Sequence, residues 1–271
     1  SPPAPRSASD KRRFQLEAAL RTTIEDDALT VAFQPVVSID GGAVTGLEAL
    51  CRWDQGSPAD FIPIAEESGL ILPLGAQVLA KSLRSVVELR QAHPHLDGMR
   101  IGINVSAREL DQPDYAERTL DIIRSSGMPM DQVVLELTES VLIDPRDEVD
   151  ATLGELRDAG VSLALDDFGS GYSSLTYLRR YPLDVLKLDI SYTQAMVHDA
   201  ETRVIVETLI AMANRLGLRV VAEGVETPEQ LDLVEKLEVT WAQGYLVGRP
   251  APMTDLIASA LPPVDLLTPR D

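Results

Sequence analysis

Cysteine and histidine are nearly missing from this chain of 271 residues. Its one cysteine, Cys51, excludes an internal disulfide framework and every CxxC zinc or redox site, and agrees with a reducing compartment. The three histidines, His93, His95 and His198, offer no HxxxH or HExxH spacing for an imidazole-ligated metal. Any metal must therefore be held by oxygen. Positive charge is also scarce: 24 Lys and Arg stand against 43 Asp and Glu, a formal charge of −19. That balance lacks the basic footprint required of a protein that binds a DNA or RNA duplex. No window approaches the roughly 18 consecutive apolar residues of a membrane helix, and the N-terminus has no apolar signal-peptide stretch. These absences predict a cytoplasmic domain with no membrane contact of its own.

What is present is enough apolar sequence, 45% of residues, to bury a large core, which excludes disordered and fibrous classes. Ser1 to Ser9 (SPPAPRSAS) is rich in Pro, Ser and Ala and reads as a linker from an upstream region. We place the linker at 1–13, one domain at 14–258 and a C-terminal tail at 259–271. Within the domain, VAFQPVVSI (31–39) and AVTGLEALCRW (43–53) flank Asp40-Gly41-Gly42, a hairpin signal that makes the first two strands antiparallel. Helices then alternate with strands: MRIGINVS (99–106), QVVLELTE (132–139), SLALDDF (162–168), VLKLDI (185–190), RVVAEGV (219–225) and WAQGYLV (241–247). Thr227-Pro228-Glu229-Gln230 announces one helix with an N-cap, a Pro at N1 and a capping-box Gln. Eight strands in one uninterrupted stretch predict an α/β fold, a modified TIM (β/α)8 barrel with an antiparallel first strand. An open doubly wound sheet is the alternative, but no GxGxxG or GxxxxGK[ST] follows any strand.

Buried parallel strands should read as continuous apolar runs, yet nearly every strand carries a polar residue near its C-terminal end. These are Glu48, Asn104, Glu136, Asp166, Lys187, Glu223 and Gln243, spaced about one βα unit apart after the hairpin. In a barrel they form one ring at the rim where barrel enzymes keep their chemistry. Gly102 and Ala164, two residues before Asn104 and Asp166, leave room beneath them. Asp166 and Asp167 would point oppositely on a strand, so both face the centre only if the chain turns, which Gly169 and Gly171 permit. Carboxylates converging in this way repel one another, and divalent cations resolve the repulsion: oxygen ligands of this kind suit two Mg²⁺ or Mn²⁺ ions bridged by an Asp. Taken singly, each residue also has an ordinary structural role, as a helix cap or an ion-pair partner. Cys51 reads as packing, and the histidines as surface residues.

The segments FQPVV, LEALCRW, FIPIAEESGLI, INVS, LELTES, LALDDFGSGYSSL, LDVLKLD, VAEGVET and QGYLVGRP resemble, in order and spacing, the EAL-domain cyclic di-GMP phosphodiesterases of bacteria. The resemblance runs from Phe14 to Pro252. It implies that Glu48, Asn104, Glu136 and Asp166 hold a first metal ion and Asp166, Asp167 and Glu223 a second. By the same resemblance Lys187 stands beside the nucleophilic water, where Glu223 has also been cast as general base, and Arg52 contacts a phosphate. Gln34, Leu50, Asp189, Gln243 and Pro250 correspond to substrate-pocket positions. Glu139 corresponds to the residue that fastens the loop from Asp167 to Ser174. The implied reaction is hydrolysis of cyclic di-GMP to linear pGpG; the implied partners are a second copy of the chain in a homodimer and an upstream sensor or diguanylate cyclase domain. The chain departs from the family in a short 54–60 loop and in Cys51, both beside Arg52. A catalytically silent cyclic di-GMP receptor is the alternative function, and an enolase-like proton-abstracting barrel a more distant one.

Overall fold

A computed structural model describes residues 8–142, 146–169 and 180–264. The strands are β1 (Thr30–Ser38), β2 (Val44–Arg52), β3 (Arg100–Val105), β4 (Val133–Thr138), β5 (Ser162–Phe168), β6 (Val185–Leu188), β7 (Arg219–Ala222), β8 (Trp241–Ala242) and β9 (Ala251–Pro252). Strands β2 to β8 run parallel in sequence order, and β1 lies antiparallel to both β2 and β8, which closes the barrel. The hairpin predicted from Asp-Gly-Gly is thus present, with Gly41 and Gly42 in the left-handed region, at φ 80° and 67°. The short β9 adds to β1 at Ala32 and Phe33. Only Trp241 and Ala242 of the predicted last strand are extended in the sheet; Gly244, at φ 155°, packs its Cα against the Val225 backbone, so the chain leaves the sheet there.

The helices are α1 (Ala8–Glu25), α2 (Pro58–Ser68), α3 (Ile71–Ala92), α4 (Ala107–Leu110), α5 (Tyr115–Ser126), α6 (Glu139–Leu142), α7 (Asp147–Asp158), α8 (Ile190–Ala195), α9 (Ala200–Arg215), α10 (Pro228–Lys236) and α11 (Met253–Ser259). Among the described residues no helix is long and apolar enough to cross a membrane. The capping box read at Thr227 and Gln230 is formed, Gln230 N–H reaching Thr227 Oγ1 at 3.3 Å. Both ends of the domain differ from the sequence reading. Residues 8–13, expected in the linker, begin α1, whose good helix formers carry Leu20 and Ile24 into a small core with Leu29, Trp53, Phe61, Ile71 and Leu74. At the other end, Leu261 and Val264 of the expected tail are buried, and Val264 N–H donates to the Gly42 carbonyl at 2.8 Å.

Strand alternation sorts the side chains into two sets. Leu135, Leu137, Leu163, Leu165, Leu186, Leu188 and Val220 face the helices and belong to the main core. Val134, Ala164, Val185 and Val221 form a separate small cluster inside the barrel, with Val36 and Trp241 packed against it. Two residues further along the same strands, the inward positions are Glu136, Asp166, Lys187 and Glu223. The barrel interior is therefore an apolar layer with a polar layer on top.

The satellite core beneath α1 rests on Phe61, which is fully buried with its ring edge-on to Trp53 at 5.7 Å. Phe61→Ala should lower stability by about 3–5 kcal/mol through lost burial and the cavity it leaves, read as a fall in the urea midpoint with unchanged slope.

Candidate functional site

Lys187 rises from the centre of the polar layer, 2% exposed. Its Nζ lies 2.6 Å from Glu136 Oε2, 2.9 Å from Glu223 Oε1, 3.1 Å from Asp166 Oδ1 and 3.3 Å from Glu48 Oε2. Four carboxylates from four strand ends thus meet one ammonium. Gln243 Nε2 donates to Glu48 Oε2 at 2.6 Å and to Gln34 Oε1 at 3.2 Å, and Gln34 Nε2 in turn donates to the Gly248 carbonyl at 3.2 Å. Asn104 Nδ2 donates to Glu48 Oε1 at 2.9 Å. All seven residues of the predicted ring are therefore gathered at one rim. Gln34 joins them because the hairpin register sets it opposite Glu48.

These contacts decide which carboxylates stay ionised. Burial alone would raise Glu48, but the Lys187 charge and hydrogen bonds from Gln243, Asn104 and Lys187 together hold it below the usual range. Glu136 is as deeply buried and lacks those amide donors; burial, with Glu48 and Asp166 close by, drives it well above the usual range despite Lys187. Burial likewise pushes Glu223 up to about 8, against the pull of Lys187 and with the repulsion of Asp166 and Glu48. Lys187 is opposed by burial, yet the charges of Glu136, Glu48, Glu223 and Asp166 keep it firmly protonated. One ammonium cannot offset four carboxylates, and the two that are raised, Glu136 and Glu223, have no amide donor like those on Glu48.

The turn that brings Asp167 inward begins two residues before Gly169, where it was expected. Asp167 itself takes the left-handed conformation, at φ 54°, where the β5–β6 register slips between Leu165 and Phe168. Its N–H donates to Asp166 Oδ1 at 3.0 Å, and a short polar side chain tolerates this backbone shape. Gly169, at φ 101°, follows with its Cα against the Tyr192 ring, and Gly171 is outside the described residues. Two groups of carboxylates result, Glu48 with Glu136 and Asp166, and Asp166 with Asp167 and Glu223; within each, one oxygen per residue lies within 4.8 Å of the others. Burial and the nearby Asp166 and Asp189 charges raise Asp167.

Other predicted residues stand further out. Arg52, half-buried at the end of β2, donates from its guanidinium to the Cys51 carbonyl at 3.0 Å. Asp189 caps α8, accepting from Ser191 N–H at 2.9 Å and from the Ser191 hydroxyl. Leu50 and Pro250 are half-buried. Leu50 and Arg52 line a cavity of about 300 Å³ that reaches Asn104, Ser106 and Glu109. Glu139 is buried at the start of α6, and residues 170–174 of the loop assigned to it lie outside the described residues. Burial pushes the Cys51 thiol up to about 11, which supports packing rather than reactivity. His93 is half-buried rather than superficial, its Nε2 being 2.7 Å from the Ile257 carbonyl.

Two supports lie outside the predicted ring. Gly102 sits beneath Glu136, where a Cβ would fall 2.0 Å from Glu136 Oε1, so the expected vacancy serves the neighbouring strand and not Asn104. Glu109 closes a capping box with Ser106 at the turn after Asn104, Oε2 accepting Ser106 N–H at 2.9 Å, and Gly75 of α3 admits its other oxygen. The S-x-x-E spacing was the available signal.

A closed barrel carrying two clusters of oxygen donors and a buried lysine at one rim has the donor chemistry of a divalent-metal hydrolase. The family comparison places it more narrowly: the EAL domain family matches residues 17–250, and the chain belongs to that family. It is 39% identical over 253 residues to the cyclic di-GMP phosphodiesterase NbdA of Pseudomonas aeruginosa, covering 90% of this chain and 32% of that protein. Its fold is similar to that of a MucR phosphodiesterase in a c-di-GMP complex, with a TM-score of 0.82 at 34% identity over 89% of this chain and 99% of that one. The EAL domain of Mycobacterium smegmatis DcpA gives 0.75 at 32% identity, over 86% and 97% of the two chains. The chain spans about a third of the length of the curated relatives it matches.

The raised pKa of Glu109, about 7 and due first to burial, yields a testable sign. Such a group favours the fold fully below its unfolded value near 4.5, and that contribution is lost as pH rises through about 7. In EDTA, Glu109→Gln should remove up to about 3 kcal/mol of the stability decline between about pH 5 and pH 8, measured by urea unfolding beside the parent.

Proposed function

We propose that this chain hydrolyses one phosphodiester bond of cyclic di-GMP to give linear pGpG, with two Mg²⁺ or Mn²⁺ ions as cofactors. The observation that carries the reading is the pair of carboxylate groups sharing Asp166 at one rim. Their hard oxygen donors suit these cations, and the excess of carboxylates over ammonium leaves negative charge for them to offset. Glu48, Asn104, Glu136 and Asp166 would hold one ion, and Asp166, Asp167 and Glu223 the other. When bound, such a pair supplies an activated water and neutralises phosphodiester charge.

The chain's own groups do the rest. Lys187, kept protonated by its carboxylates, acts as a positive hydrogen-bond donor beside the attacking oxygen and not as a base. Glu223 is the carboxylate placed to accept that oxygen's proton, in the ionised form that metal binding would leave it. As water attacks phosphorus, the P–O bond to one ribose breaks, leaving a 5′-phosphate and a free 3′-hydroxyl. Arg52 engages a phosphate oxygen, and Gln34, Leu50, Asp189, Gln243 and Pro250 line the substrate pocket. Gln243 and Gln34 also fix the Glu48 carboxylate. Glu139 positions the loop after Asp167. The same reading takes in a homodimer, a cytoplasmic setting and an upstream sensor or cyclase domain, in line with relatives named as the oxygen sensor DosP and the bifunctional diguanylate cyclase/cyclic di-GMP phosphodiesterase MucR.

The test is pGpG formation with Mg²⁺, Mn²⁺ or EDTA. Turnover should require metal and fall at least about a hundredfold in Glu48→Gln, which loses a charged ligand but keeps its amide neighbours. Turnover in EDTA would sink the reading; tight binding of intact cyclic di-GMP with no turnover would favour the receptor. Protons held by Glu136 and Glu223 must also leave when metal arrives. Calorimetry in buffers of different ionisation enthalpy should show release of about one proton or more per chain at neutral pH.

A further inference from the structure

At the end of the barrel opposite the carboxylates, Arg100, Arg219 and Trp241 open strands β3, β7 and β8. The Arg219 guanidinium carbon lies 4.9 Å, and that of Arg100 5.4 Å, from the centre of the Trp241 ring. Two cations therefore share one indole. Several arginines of this acidic chain have acidic partners: Arg90 has Asp97, Arg146 has Asp111 and Arg180 has Asp150. Among the described residues, Arg100 and Arg219 form no ion pair. Asp184, whose charge acts on Arg219, is engaged elsewhere: its Oδ2 accepts Leu163 N–H at 3.0 Å and its Oδ1 faces Arg157 at 3.7 Å. The indole face offsets only part of one positive charge.

Beside this pair opens a cavity of about 340 Å³, lined by Thr45, His95, Arg100 and Trp241 together with apolar residues and glycine. None of its lining residues is acidic, in a chain with 43 Asp and Glu. The interior layer of Val134, Ala164, Val185 and Val221 separates it from the carboxylate rim. Two guanidiniums on one indole, without an ion-paired acid and beside an open cavity, present positive charge for an anion, and a guanidinium fork matches phosphate oxygens.

We propose that this mouth of the barrel is a binding site for a small phosphate-bearing anion, with Arg100 as direct ligand, Arg219 as the second positive charge and Trp241 as the surface that holds both. The site shares no residue with the rim at which the reaction is proposed. The chemistry is shared by inorganic phosphate and by a nucleoside monophosphate, and the experiment separates them.

The protein has two tryptophans, so in a Trp53→Phe background the emission of Trp241 reports this site alone. Inorganic phosphate and GMP are titrated separately against chloride of equal ionic strength. The expected result is a saturable change in Trp241 emission at millimolar or lower phosphate, weakened at least about tenfold in Arg100→Gln and in Arg219→Gln. Tighter binding of GMP than of phosphate assigns a nucleotide-borne group, and equal or weaker binding assigns the free ion. The proposal is overturned if Trp241 emission in the Trp53→Phe protein follows ionic strength alone. It is equally overturned if both arginine variants, folded by circular dichroism, keep the parent response.

Discussion

A single ammonium buried among four carboxylates sets the terms for the rest of the barrel. Stripping Lys187 and Glu48, Glu136, Asp166 and Glu223 of water costs several kcal/mol per ion, and only close mutual contact recovers it. The contacts of 2.6 to 3.3 Å demand that four strand ends be held to within a fraction of an ångström. A closed sheet meets that demand, since each strand is fixed by both neighbours. The antiparallel β1 completes the closure and also brings Gln34 opposite Glu48, so the same departure from an all-parallel barrel serves fold and site together.

Charge balance then explains why the four acids differ. Glu48 has three donors, from Lys187, Gln243 and Asn104, and stays ionised. Glu136 has only Lys187, and Glu223 sits nearer the solvent with Asp166 beside it. Their proton affinity measures the negative charge that the protein alone does not neutralise. An environment of this kind favours small, highly charged cations over further protons only while its geometry is preserved, which gives the packing beneath it, Gly102 under Glu136 above all, a part in the chemistry.

Much of this was legible in the sequence because period-two alternation puts one polar residue above one small apolar residue on each inward face: Val134 below Glu136, Ala164 below Asp166, Val185 below Lys187, Val221 below Glu223. Spacing alone could therefore list the ring and the rim it occupies. It could not show that Gly102 makes room for a residue two positions ahead of its own partner on the next strand, because that contact depends on the stagger between strands. Nor could it place the turn at Asp167, since glycine is the strong signal for left-handed backbone and Gly169 stood nearby. Helix α1 was hidden by a Pro-rich start, although Leu20 and Ile24 carry the apolar spacing that anchors it.

The two mouths of the barrel are built by opposite rules. At the C-terminal rim charge is concentrated and immediately answered, lysine to carboxylate and amide to carboxylate. At the N-terminal mouth Arg100 and Arg219 share an aromatic face and, among the described residues, form no ion pair. Between them lies a cavity of about 50 Å³ with a mainly apolar lining that touches Arg100 and Trp241 at one end and Glu136, Lys187 and Gln243 at the other. Most of that lining is apolar, so few groups between the two ends answer the charge of either. Low polarity there strengthens the attraction between basic mouth and acidic rim. Neutralising the arginines would therefore reach the carboxylates as a change in their proton and cation affinity, carried by the field through the barrel without movement of a strand.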